Sequence, residues 1–397
     1  MPIYKSGIFT PATRLLQLMP IASKFLLILL VFIIPLGYLS LNSVEEKQQQ
    51  LHFYQTQSNG LKTLRIAYTI LPKLILQRDS DYASEFGFID AEADLSQTSS
   101  EIELALQQLT GKGSAGTQQQ LAEFTRLWQT RQQQHESALA RHNHYSMINL
   151  AMRQYLQRLA EDYDILLGRD LHAYQLSHIS VDSMVYTIDL VSAIRGLGVG
   201  IISRGNFTPD SFIKISYYAG ELEKTLSTLQ RSYKASDESQ MADSMLYKNA
   251  EQILGSSRDF LTLTRQQVID PDSFTIGAQV YHQQGIKVLR QLQSLRAQTL
   301  TALTQRLDAN IAKQQWQKNE IISISALITL LMLYLFAGFY YAMKQGIQQI
   351  NITLSAMAGG DFSQRAEAHG RDEIRNIADN LNHTADQINK LVKIAYS

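Results

Sequence analysis

The sequence predicts an all-α chain in which two transmembrane helices flank a large extracytoplasmic helical bundle and the second helix runs into a cytoplasmic coiled coil. Three observations predict this. Residues 25–41 and 321–342 are long apolar stretches without a single Asp, Glu, Lys or Arg. The segment between them is rich in Leu, Gln, Ala, Arg and Glu, which favour helix, and poor in the alternating β-branched patterns of strands. Beyond the second stretch, apolar residues recur at spacings of three and four, the seam pattern of coiled coils.

The elements follow in chain order. Residues 1–24 form a cytoplasmic segment and 25–42 the first span. A span needs about 20 apolar residues, and Met19 to Ser23 extend this one past Lys24, whose long stem can snorkel to the headgroups. A cleaved signal peptide is the competing reading, but neither Gly37-Tyr38-Leu39 nor Leu41-Asn42-Ser43 supplies a convincing small-x-small site. Lys5, Arg14 and Lys24 precede the span, whereas Glu45 and Glu46 follow it, so the N-terminus is expected inside. A second span at 321–343 returns the chain to that side and leaves 43–320 outside. Tyr334, Tyr340 and Tyr341 are expected near the inner interface, with membrane lipid as a partner. The absence of cysteine rules out disulfides, so the outer domain must be held by packing. The 36 basic and 36 acidic side chains cancel, and no nucleic-acid partner is expected.

Within 43–320 the first helix is expected to reach about residue 77, disturbed at Gly60 and Pro72. The glycine-rich residues 111–116 make a loop. Helices are predicted at about 118–167 and 172–204. Thr208 is the N-cap and Pro209 the first position of another, which ends near Lys234. The next runs from about 237 to 268, residues 270–273 turn, and the last continues into the second span. About six helices exceed one four-helix bundle, so two stacked helical modules and one irregular bundle are both open.

Arg195 draws attention because it shares a helix face with Met184, Ile188, Val191, Val199 and Ile202. An arginine on an apolar stripe needs a partner. In the functional reading, Arg195, with Arg204 or Arg65, grips a small anionic ligand bidentately. In the structural reading it pairs internally with a carboxylate such as Asp189 or Glu221. Gly196, Gly198 and Gly200 do not have GxGxxG spacing and suit close helix approach. His142 and His144 lie two apart, so they face different sides; with His135 they read as solvated, and no metal site is expected. No nucleophile–base pair, paired carboxylates or cofactor motif stands out, so no catalytic residue or cofactor is assigned.

Past the second span, Ile347, Ile350, Leu354 and Met357 form one seam; Ile374, Ile377, Leu381, Thr384, Ile388 and Leu391 form another. A connector containing Gly359, Gly360, Asp361, Phe362 and Gly370 joins them. Each seam is too narrow to bury itself, and a homodimer supplying four helices solves this.

Over residues 344–392 the chain resembles a HAMP domain. Gly360-Asp361-Phe362 stands at the family's glycine, acidic residue and apolar connector anchor. Gly370-Arg371-Asp372-Glu373-Ile374 stands at its Gly-x-Asp-Glu-Ile start of the second helix, and Leu381-Asn382 at its apolar-Asn pair. The resemblance implies signal transmission through Gly360, Phe362, Asp372, Glu373, Ile374 and Leu381. Gly346 departs from it, near where a proline commonly opens the first helix, as does Thr384, which replaces a larger apolar residue. Residues 183–186, 194–198 and 204–205 resemble a segment of bacterial sensor outer domains found on diguanylate cyclases, histidine kinases and chemoreceptors. Gly359-Gly360-Asp361-Phe362 also looks like part of a GGDEF signature, but the strand-turn-strand context is missing and the connector explains these residues. Lys393-Ile394-Ala395-Tyr396-Ser397 resembles the lead-in to a GGDEF domain. The expectation is therefore a bacterial inner-membrane receptor for an extracytoplasmic small molecule. It would be the input half of a diguanylate cyclase whose output part follows residue 397. A histidine kinase, a chemoreceptor and a non-signalling scaffold are the alternatives.

Overall fold

The computed structural model describes residues 15–89, 95–131, 137–168, 171–237, 244–271, 274–367 and 373–395. Helix makes up 88% of them, and they contain no strand. The helices are α1 (Ile21–Ser84), α2 (Leu95–Leu109), α3 (Ala115–Gln129), α4 (Ala138–Asp162), α5 (Leu171–His178), α6 (Met184–Arg204), α7 (Pro209–Asp237), α8 (Ser244–Thr264), α9 (Ala278–Ala358) and α10 (Glu373–Ala395). Two π-turns interrupt the series, Ile179–Ser183 between α5 and α6, and Arg265–Ile269 after α8.

The chain divides into two compact units, residues 49–314 and residues 1–48 with 315–397. In the first, buried apolar side chains from Tyr54 to Leu307 form one continuous cluster. Helix α1 runs unbroken through Gly60 and Pro72 and on to Ser84, past the end expected near residue 77. Buried Leu71, Leu74 and Ile75 around the proline tie the helix to the core, and packing outweighs one lost backbone bond. The single helix expected over 118–167 is instead two. Thr130 closes α3 by donating to the Arg126 carbonyl, and Ser137 opens α4 by accepting from the Ala140 amide at 3.1 Å. Helix α2, on a stretch left unassigned above, was also missed.

Other local signals hold. Thr208 and Ser211 cap each other reciprocally at the start of α7, amide to hydroxyl at 2.9 and 3.2 Å. Gly205 ends α6 at φ +80°, a conformation that costs glycine little. The π-turn at Ile179–Ser183 was not foreseen, since periodicity carries no mark of one extra residue in a turn.

In the other unit, α1 and α9 run antiparallel. Phe25 meets Phe339 edge-to-face at 5.1 Å, Ser40 and Ser325 share a hydrogen bond of 2.8 Å, and Lys318 donates to Gln48 at 3.0 Å. Three helical stretches among the described residues are long and apolar enough to cross a membrane: Ala22–Ser84, Leu171–Arg204 and Ala278–Ala358. This corrects the expected two. The apolar window in Leu171–Arg204 is 83% buried inside the protein, whereas those in the other two are 0% buried. A helix wrapped in protein is apolar all round because it forms the core. Apolar surface of the other kind, displayed by Leu30, Phe32, Leu327 and Leu331, suits lipid.

Candidate functional site

A connected polar cluster lies inside the helical core of residues 49–314. Helix α6 places Arg195 on its buried face because Ile188, Val191 and Val199 on that face are core residues. The side chain is 2% exposed. Its Nη2 donates to Asp79 Oδ2 on α1 at 3.0 Å, and its Nη1 lies 3.3 Å from His282 Nδ1 on α9. One side chain of α6 thus meets both long helices. Glycine makes this approach possible. A Cβ on Gly196 would stand 2.8 Å from the Asp79 side chain, and one on Gly285 would stand 2.7 Å from Arg195 Cγ.

A second arginine completes the cluster. Arg78 donates from Nε to Asp79 Oδ1 at 2.9 Å and from Nη1 to Asp189 Oδ1 at 2.6 Å; Asn149 also donates to that Asp189 oxygen at 3.2 Å. The Ser192 hydroxyl donates to Asp79 Oδ2. Burial pulls the Arg78 pKa down, but Asp189 and Asp79 together outweigh it and hold the group above its ordinary value. Two guanidiniums and two carboxylates therefore balance in a largely buried region, with Asp189 15% exposed at its edge. A cavity of about 10 Å³, room for one water-sized species, lies beside Arg195 between Asp79, Ser80, Phe88 and His282.

The three arginines suggested by sequence are not brought together. Arg195 is central, but its internal partner is Asp79, not Asp189 or Glu221. Arg204 is exposed at the end of α6, 5.8 Å over the Phe86 ring. Arg65 is exposed and donates to Thr304 at 3.0 Å; it lies about 20 Å along α1 from Arg78 at 1.5 Å per residue. Arg78 was overlooked because the first helix was expected to stop at residue 77. With α1 extended to Ser84, Arg78 falls on the same stripe as Leu71, Leu74 and Ile75, the signal that singled out Arg195. His142 is a correction: it is 1% exposed, not solvated, and packs edge-on against Tyr82 at 5.3 Å. Burial, then Arg78 and Lys214, hold its pKa well below the ordinary histidine value, so it is neutral. His135 lies outside the described residues.

The HAMP-like region has a different character. Helix α9 ends in a left-handed Gly360 at φ +90°, with the Asp361 amide donating back to the Ala356 carbonyl at 3.0 Å. Asp361 accepts from the Ser363 amide at 3.0 Å and from its hydroxyl at 2.5 Å, which hold its carboxyl below the usual range. Asn382 clamps the connector: its Oδ1 accepts from the Ala366 amide at 2.8 Å and its Nδ2 donates to the Ala366 carbonyl at 3.0 Å. Phe362, Ile374 and Leu381 are half-buried, and Glu373 is exposed in the first turn of α10, where an acid suits the helix N-terminus. Asp372, with Gly370 and Arg371, lies outside the described residues. Gly346 has a local reason, since a Cβ there would fall 2.5 Å from Ile374 Cγ2. Thr353, Ala378 and Ala385 are buried, whereas Leu354, Ile377 and Leu391 of the seams stay exposed.

Residues 339–390 match the HAMP domain family. No curated protein matches the chain. Among solved structures, that of the NasR transcription antiterminator is similar over 88% of this chain and 96% of its own, with 13% identity and a TM-score of 0.48, a likeness that carries no argument about function.

Proposed function

We propose, from the HAMP domain at 339–390 as premise, that this chain is a homodimeric inner-membrane receptor with two spans and both termini in the cytoplasm. It takes a small anionic ligand in the extracytoplasmic domain and passes the signal to a cytoplasmic output. The single observation that carries the reading is the position of Arg195. It joins α6 to Asp79 on α1 and to His282 on α9, and these are the helices that contain the two unburied apolar windows. Helix α9 also contains the start of the HAMP domain.

An anion that competes with Asp79 for the guanidinium changes the grip of α6 on both helices. The ligand then shifts a two-state bundle by the difference in its affinity for the two states. The exposed Leu354, Ile377 and Leu391 support dimerisation, because an unpaired apolar seam wants a partner. A diguanylate cyclase output is the reading favoured by the lead-in resemblance at 393–397.

The test is a thermal melt of the full chain in nanodiscs with and without inorganic anions and small carboxylates. A ligand should raise the Tm of the wild type as RT ln(1 + [L]/Kd) and fail to raise that of Arg195→Ala or Arg195→Gln. A ligand shift that survives in both variants removes Arg195 from the site. Cyclic-di-GMP in cells expressing the whole reading frame, with and without that ligand, tests the output. No change in its level refutes the cyclase.

A further inference from the structure

Helices α8 and α9 meet through Phe260 and Tyr281, whose rings lie 5.2 Å apart. Beside that contact they leave a cleft. Ser256, Asp259 and Phe260 on α8 recur at spacings that share one helix face, as do Gln284, Lys287 and Val288 on α9, and both faces line it. Its volume is about 380 Å³, within the range of about 300–1,000 Å³ found for small-molecule sites.

The lining is sorted by depth. Phe260 and Val288 are 3% and 5% exposed and form an apolar floor. Leu263 and Ile276 are half-buried walls, and Asp259 and Lys287 stand exposed at the rim, one on each helix. No ion pair joins Asp259 to Lys287. Two charges of opposite sign thus face one apolar pit from different helices.

Such a rim sorts ligands by charge. A carboxylate is drawn to Lys287 but repelled by Asp259, and an ammonium has the reverse preference. A molecule that carries both charges close together satisfies both walls at once. Charges at a rim set specificity more than affinity, so the affinity must come from apolar surface laid on the floor.

We propose that the α8–α9 cleft binds a free α-amino acid with an apolar side chain. The side chain rests on Phe260 and Val288, the carboxylate accepts from Lys287, and the ammonium donates to Asp259. The site is separate from Arg195 and does not depend on the anion reading above. Its occupant bears directly on α9, the helix that contains the start of the HAMP domain.

The test is isothermal titration of the full chain in nanodiscs with L-leucine and L-phenylalanine, each beside probes that lack one charge: 3-phenylpropanoate without the ammonium and phenethylamine without the carboxylate. The wild type should bind at least one of the two amino acids saturably and each truncated probe about tenfold more weakly, the loss expected for one hydrogen bond to a charged group. Asp259→Asn and Lys287→Gln, both at exposed positions, should keep the wild-type Tm without ligand and each lose about tenfold in affinity. Arg195→Ala should retain the binding. No saturable heat with either amino acid, undiminished affinity in either cleft variant, or equal affinity for a truncated probe would overturn the proposal.

Discussion

Where Arg195 pairs with Asp79, both side chains are 2% exposed, whereas Arg365 and Asp386, an ion pair of the HAMP module, are 35% and 54% exposed. The cluster of Arg78, Asp79, Asp189 and Arg195 lies largely out of water, and each of these charges has two or more partners. The HAMP module leaves the charges of its Arg365–Asp386 pair wet, meets Ile374 with Gly346, and buries the small Thr353, Ala378 and Ala385. A buried polar network is costly in any arrangement but the satisfied one, so it defines discrete states. Small side chains and screened charges allow neighbouring helices to shift at little cost. On the function proposed above, the first region would set the state and the second would pass it on.

Four substitutions would break or sharpen that contrast. The largest effect belongs to Asp79→Ala, which strips a carboxylate from two buried guanidiniums. Denaturation of the full chain followed by fluorescence should show a loss of about 3–5 kcal/mol. A loss below about 1 kcal/mol would mean that water already reaches the cluster. Next is Gly346→Val, whose branched side chain overpacks Ile374. Hydrogen exchange should show α10 amides losing about 1–3 kcal/mol of protection while amides in α3 and α4 keep theirs.

His142 gives a smaller, pH-dependent effect. Its folded pKa is depressed, so the unfolded chain binds the proton more readily. The contribution is intact above the unfolded value of about 6.5 and falls by up to about 1.4 kcal/mol for each pH unit below it. Replacing His142 with Phe should flatten that part of the stability profile between pH 7 and 5; an unchanged slope would move the titrating group elsewhere. Smallest is Arg365→Ala, which should cost no more than about 1 kcal/mol by exchange of α10 amides, because the pair it breaks is exposed.

The same contrast explains what the sequence made legible. The HAMP region was readable down to its connector because heptads, a helix-ending glycine and an apolar-Asn pair are local signals. The apolar windows were equally plain. Sequence also placed Arg195 on a buried stripe, since periodicity reports which face is inside. It did not say what faces that stripe. Asp79 lies 116 residues away, and pairing over that distance leaves no trace in spacing. Arg78 was hidden by a helix end placed about seven residues too early, and His142 by reading a histidine with no chelating neighbour on its face as solvated. The third apolar helix shows the limit of composition, because a core helix and a span can share it. The apolar window of Leu171–Arg204 is less apolar than the other two, with a mean hydropathy of 1.6 against 2.3, and it is 83% buried where they are 0%.

The central claim is that the Arg195 clasp on α1 and α9 sets the state of the HAMP helices. The most direct measurement is the rate of disulfide formation between Ile388→Cys residues of two copies of the full chain in membrane vesicles. Arg195→Ala and Asp79→Asn should each change that rate. Phe124→Leu, a core change on α3 that leaves the clasp intact, should not change it, although it also lowers stability. An unchanged rate in Arg195→Ala, or an equal change in all three variants, would contradict the claim.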